Sequence, residues 1–171
     1  MQILTRHKKL LQTIATIIFI VVSVIGLYAY RVHQVQTVKP RQLFERLTLA
    51  AREGVEIHAD DYDRAALAEQ ETDHILAGLQ QDLANVQGIN AETMAQYLLP
   101  EASGFLNDTN RFEPWLRQVL SELWQQDSDW IMESISTTER KILIADTCLL
   151  LILKNGHWQL TSIAACEALP E

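Results

Sequence analysis

His58, Asp60, Asp61 and Asp63 place one imidazole and three carboxylates within six residues, the ingredients of a hard-cation site. Their spacing withholds the rest. Read as a calcium loop from Asp61, the sixth position is Ala66 where the sharp turn needs glycine, and the twelfth is Thr72 where a bidentate glutamate is needed. The chain has no HExxH, and no second histidine stands four residues from His58. The cluster therefore reads as helix-capping chemistry, with Asp60 or Asp61 satisfying free amides and the acids complementing a positive helix end. No metal and no cofactor is expected.

Other chemistry is equally thin in the sequence. Ser103 precedes Gly104 outside any GxSxG, and no glycine-rich loop is present to cradle a phosphate. Cys148 and Cys166 are the two cysteines and neither belongs to a CxxC, which leaves thiol redox catalysis unsupported. His74 reads as an exposed helix position and His157 as a turn residue. Asp146, between Ala145 and Thr147 in a long apolar run, is either an exposed strand position or a carboxylate whose titration burial would shift. The chain is expected not to be an enzyme.

Stepping along the chain, Leu10 to Tyr30 contains 21 residues without a charge. As a helix it reaches roughly 32 Å at ~1.5 Å per residue, enough for a ~30 Å hydrocarbon core. A cleaved signal peptide has the same basic start and apolar run, but this run is long, and Leu27 stands two before Ala29 where a cleavage site needs a small residue. An uncleaved anchor is the expectation. Residues 1–9, with Arg6, Lys8 and Lys9, form a short basic tail that should stay in the cytoplasm, since long domains translocate largely regardless of charge. The rest would then be periplasmic at a bacterial inner membrane. A cytoplasmic domain is the alternative, because Arg31, Lys39 and Arg41 nearly balance the tail.

Composition narrows the partners. With 48% hydrophobic and 21% charged residues in 171, the chain is neither a polar disordered polymer nor a collagen-like fibre. Its formal charge is −8, and because the first thirty residues hold three bases and no acid, residues 31–171 carry −11. Such a surface repels phosphate, which argues against nucleic acid as the main partner.

Residues 31–39 read as a polar stalk, followed by one domain over 40–171. Pro40 to Glu53 presents Leu43, Phe44 and Leu47 at helical spacing, and Gly54 supplies the stop. A second helix should open at Asp60 or Asp61, bury a stripe of Leu76, Leu79, Leu83 and Val86, and end at Gly88. Asn90 caps a third helix with Met94, Tyr97 and Leu98, closed by Pro100. After Asn110 comes the clearest helix, with Pro114 in its first turn and Phe112, Trp115, Leu116, Val119, Leu120, Leu123 and Trp124 on one apolar face.

Strand chemistry takes over after Asp127. Trp130 to Ser136 reads as a short strand, Thr137 to Arg140 as a turn, and Lys141 to Lys154 as a long strand rich in branched apolar residues. Asn155-Gly156 then accepts the positive φ of a type I′ turn, so Lys154 and His157 close a two-residue hairpin. Counting from it, Leu153 pairs with Trp158, Leu151 with Leu160 and Leu149 with Ser162 on the face assigned to the helices. Ile152, Leu150 and Cys148 meet Gln159, Thr161 and Ile163 on the other. In that register Cys148 lies opposite Ile163 and about 10 Å from Cys166, too far for an undistorted bridge unless a bulge or an early strand end intervenes. The fold class is α+β: an N-terminal transmembrane helix, then helices packed on a curved antiparallel sheet of at least three strands.

Three stretches, ADDYDRAALAEQ, NAETMAQYLLPEASGFL and LLLILKNGHWQLTSIAA, with Gly156, Trp158, Leu160, Thr161 and Ile163 in the last, carry a resemblance. They are similar to a family of bacterial single-span membrane proteins of unknown function, related to the nuclear-transport-factor-two-like cone domains. The resemblance implies helices wrapped by a curved sheet with room for a pocket, and it brings no catalytic residues. Two functions are therefore expected. One is an accessory or assembly subunit of an envelope complex, or an immunity protein whose acidity suits a basic toxin. The other is a cone-domain protein that binds or transforms a small apolar ligand, with Trp130, Asp146, Cys148, Leu150, Ile152 and Ile163 as lining. Homodimerisation through the sheet is compatible with both.

Overall fold

A computed structural model describes residues 2–124 and 129–166, with side chains described from residue 16 onward. The side chains of Arg6, Lys8, Lys9, Gln12 and Thr13, and the whole of Asp127, lie outside the described residues. The chain forms two compact units, residues 1–39 and 40–171.

The first unit is helical. Helix α1 (Gln2–His33) leads into a π-helical turn over Gln34–Val38, so the polar stalk is helical. From Thr16 the helical stretch has a mean hydropathy of 1.7 in its most apolar window, and none of that window is buried. Ile17, Phe19, Val21, Ile25 and Leu27 are each at least half exposed on successive sides. A core helix would bury one side, whereas a helix apolar all round is suited to lipid. The chain therefore has one N-terminal helix long and apolar enough to cross a membrane.

The second unit is an α+β domain. Its helices are α2 (Lys39–Glu53), α3 (Arg64–Leu83), α4 (Ala91–Ala102) and α5 (Thr109–Trp124). The strands β1 (Trp130–Ser134), β2 (Glu139–Ile144), β3 (Thr147–Lys154) and β4 (His157–Ala165) form one antiparallel sheet in the order β1-β2-β3-β4. Leu43, Phe44 and Leu47 of α2 and Phe112, Leu116 and Leu120 of α5 are buried against Ile142, Ile144, Leu149, Leu151, Trp158 and Leu160 of the sheet. Phe44 meets Trp124 and Trp130 at ring-centroid distances of 5.2 and 4.7 Å, joining helix to sheet edge. As expected, Gly54 takes a left-handed φ of 69° after α2, and Asn155-Gly156 turns with φ of 51° and 82°.

Four expectations need correction. Asp63, and not Asp60 or Asp61, is the N-cap of α3, accepting from the Ala66 amide at 3.1 Å. Leu76, Leu79 and Leu83 are only half-buried and Val86 is 43% exposed, because α3 packs mainly on α4 there and not on the sheet. Helix α4 continues past Pro100 to Ala102, where the missing proline N–H costs a single bond near the helix end. The long strand splits into β2 and β3 at Ala145-Asp146, with Ala145 at φ 49°, which puts Asp146 in an exposed turn; β2 begins at Glu139, inside the expected turn.

The hairpin register also changes along its length. Leu153–Trp158 and Leu151–Leu160 pair as counted, but a bulge leaves Thr161 opposite no partner, so Leu150 meets Ser162, Leu149 meets Ile163 and Cys148 meets Ala164. Thr161 Oγ1 donates to the Leu150 carbonyl at 3.1 Å, satisfying an acceptor in the irregular ladder. Beyond the bulge the chain is advanced by one residue, and the Cys166 amide donates to the Asp146 carbonyl at 3.0 Å. Cys148 and Cys166 are bridged, with Cα atoms 4.8 Å apart. The undistorted count had argued against this bond; the extra residue is what brings it within reach.

The bridge closes a loop with a sequence separation of 18, which corresponds to ~3 kcal/mol of lost unfolded-chain entropy. Reducing it, or replacing both cysteines by serine, is expected to lower the unfolding free energy by about that amount. Intact mass after alkylation with and without reductant checks the bond: two added labels only after reduction are expected.

Candidate functional site

A cleft of about 550 Å³ lies between α3, α5 and one end of the sheet. Leu67, Gln70, Glu71 and His74 of α3 form one wall, and Trp115, Val119, Glu122 and Leu123 of α5 the other. Thr147 of β3 and Ile163, Ala164 and Ala165 of β4 make the floor. Its volume falls in the range of small-molecule pockets.

Each wall is fixed by identifiable contacts. Gln70 Nε2 donates to the Ile163 carbonyl at 2.7 Å while its Oε1 accepts from the Ile163 amide at 3.0 Å, so one side chain imitates a neighbouring strand and ties α3 to the open edge of β4. Farther up the same edge, the Asp63 amide donates to the Leu160 carbonyl at 2.8 Å, and the Asp63 carboxylate pairs with Lys154. That ammonium, with the Ala66 amide, holds the Asp63 carboxyl below its ordinary range. At the floor, Thr147 and Ala165 adjoin the bridged Cys148 and Cys166. On α5, Phe112 stacks on Tyr62 at 5.6 Å and meets Trp115 at 5.1 Å, which holds the indole toward the cleft wall.

The polar lining is two carboxylates, an imidazole, an amide and a hydroxyl, from Glu71, Glu122, His74, Gln70 and Thr147. Glu71 on α3 and Glu122 on α5 line it together with His74, and the lining contains neither lysine nor arginine. Burial beside the apolar walls pushes the Glu71 carboxyl up, opposed in part by His74. Glu122 Oε1 accepts from Gln118 Nε2 at 3.0 Å on the rim.

Only Ile163 of the six residues expected to line a pocket reaches this cleft. The others lie apart. Trp130 packs on Phe44 at the sheet edge, Asp146 is exposed in the β2–β3 turn, and Cys148 is bonded to Cys166. Leu150 and Ile152 lie on the sheet face turned away from the helices. The bulge separates them, because it moves Ile163 to the helix side and Ser162 to the outer side. The missed residues did carry a signal: Glu71 falls midway between Leu67 and Ile75 in the inward stripe of α3, and Glu122 stands at i+7 from Trp115 and i+3 from Val119 on α5.

The acidic cluster does not converge. Asp61 accepts from Arg46 at 3.1 and 2.5 Å, Asp63 caps α3, and His58 and Asp60 are exposed. Among the described residues, no group of three or more His, Cys, Asp or Glu side chains is placed to hold a metal ion.

A second surface is the outer side of the sheet. The register aligns Ile131, Leu143, Cys148 and Ala164 in one row across it, followed by a row of Glu133, Lys141, Leu150 and Ser162. Ile131 is 62% exposed, and Leu143, Leu150 and Ile152 are half-buried. Glu133 stands opposite Lys141 on this face, and the next row places Glu139 and Gln159 on either side of Ile152.

Replacing Glu71 by glutamine gives a sign test for the cleft. Because folding raises this pKa, the unfolded chain ionises first as pH rises, and the carboxyl costs stability from about its ordinary value of 4.5 upward. Glu71→Gln is therefore expected to raise the unfolding midpoint at pH 7 by about 1 to 3 °C, a gain that vanishes as pH falls below 4.5. Thermal unfolding of the full chain across that range reads the difference.

No family model matches this chain, and neither a curated protein nor a solved structure matches it.

Proposed function

We propose that this protein is a non-enzymatic membrane-anchored subunit that works by binding another protein, as an accessory or assembly component of a bacterial envelope complex. Its basic tail stays in the cytoplasm, α1 crosses the inner membrane once, and the α+β domain stands in the periplasm. The apolar outer sheet face carries the reading: Ile131, Leu143, Leu150 and Ile152 form a patch on a folded domain that already has a filled core. Two further observations support it. The helix is long and apolar enough to anchor the domain to a membrane, and the Cys148–Cys166 bridge suits an oxidising compartment. The helices packed on a curved antiparallel sheet are compatible with a cone-type domain. The same face would serve a homodimer.

A second reading is favoured by the cleft itself, whose volume and mixed lining suit a small ligand with an apolar body. It does not compete for the same surface, since the cleft opens between α3 and α5 and the patch lies on the opposite side of the sheet.

A photo-crosslinking residue placed at Ile131 or Ile152 of the full chain in living cells tests the first reading, with Tyr97, 79% exposed on α4, as the control position. A discrete product with a second envelope protein from the two sheet positions, and none from Tyr97, is expected. A product of two copies alone would replace the accessory subunit by a homodimer, and equal labelling from all three positions would contradict a docking face.

A further inference from the structure

We infer that the cleft between α3 and α5 takes an organic cation with an apolar body, an alkyl- or arylamine, its hydrocarbon against Trp115, Leu123 and Ile163 and its ammonium between Glu71 and Glu122. The inference rests on the ligand reading of the cleft and is independent of what binds the outer sheet face.

The argument begins with the distribution of charge. Two carboxylates stand on opposite walls, one on each helix, and the lining offers them no lysine or arginine. The amide of Gln70 is committed in both directions to the Ile163 backbone, so it is spent on the fold and leaves the carboxylates as the groups that would orient a ligand. Glu122 Oε1 takes a hydrogen bond from Gln118, which leaves Glu71 as the acid with no amide donor on it.

Burial makes Glu71 the discriminating group. Its environment disfavours the charged form, with His74 as the weak counterweight. A bound ammonium replaces the solvation that the carboxylate has lost and is therefore favoured over an uncharged group of the same shape. A ligand carboxylate or phosphate would bring a further negative charge beside Glu71 and Glu122, so anions are disfavoured by the same physics. The indole of Trp115 adds a π face in the wall, a further preference for a cation. The floor contributes area and no charge, through Ile163, Ala164 and Ala165.

Three probes that share one hydrocarbon body test the assignment: 4-phenylbutylamine, 4-phenylbutanol and 4-phenylbutyrate. Each is titrated calorimetrically into the full chain in zwitterionic nanodiscs, with empty nanodiscs subtracted. The amine is expected to bind at least about tenfold more tightly than the alcohol, and the acid more weakly than either. Glu71→Gln should reduce the amine's advantage to under about threefold and leave the alcohol unchanged, while Trp115→Ala weakens all three. Unfolding midpoints confirm that both variants are folded. An alcohol that binds as tightly as the amine, or an amine preference that survives Glu71→Gln, overturns the charge assignment. Heats no larger than those of empty nanodiscs for all three probes overturn the ligand reading of the cleft as well.

Discussion

One unpaired residue in β4 governs the architecture around both surfaces of this domain. Were Thr161 paired in the ladder, strict alternation from the Asn155-Gly156 turn would send Ile163 to the outer face and leave Cys166 out of reach of Cys148. With it, Ile163 joins the helix side, its amide and carbonyl become available to Gln70, and the end of β4 approaches the start of β3 closely enough for the bridge. A bulge costs ladder hydrogen bonds, and this one is sustained by replacements: the Thr161 hydroxyl on the Leu150 carbonyl, the Asp63 amide on the Leu160 carbonyl, and the Gln70 amide on Ile163. The same contacts cover the β4 edge, which would otherwise be a template for pairing with other chains.

The two surfaces differ in kind because the sheet separates them. On the helix side, the core is filled from Phe44 to Leu151, and the cleft lies between α3 and α5 at the bridged end of the sheet. That space is apolar below and acidic at its walls. On the outer side, Ile131, Leu143, Leu150 and Ile152 lie on one face of the curved sheet, with Glu133, Lys141, Glu139, Gln159 and Ser162 among them. An open apolar face suits a folded partner and a walled cleft suits a small molecule, and the sheet keeps the two apart.

Much of the fold was legible because its signals are local. Seven apolar residues at helical spacing define α5, Gly54 and Asn90 mark helix ends through backbone chemistry, and Asn155-Gly156 sets the first four cross-strand pairs. What was not legible depends on residues acting against their local type. Ala145 adopts a positive φ that alanine normally avoids, which concealed the second hairpin and displaced Asp146 from a strand to a turn. Thr161 looks like an ordinary strand residue, and only its pairing reveals the bulge. The candidate site suffered most from this, since a one-residue slip changes the face of every residue that follows and left Ile163 as the sole expected lining residue in the cleft. Glu71 and Glu122 were readable in principle as acids at apolar stripe positions. The apolar N-terminal helix was the plainest feature, because length and the absence of charge require no tertiary context.

The register of the β3–β4 hairpin is the most direct test of this account. Cross-strand backbone nuclear Overhauser effects, measured on the full chain with its cysteines oxidised, should link Leu151 with Leu160 and then Leu149 with Ile163 and Cys148 with Ala164. Contacts from Leu149 to Ser162 and from Cys148 to Ile163 would show an unbulged hairpin and contradict the origin assigned here to both the bridge and the cleft floor.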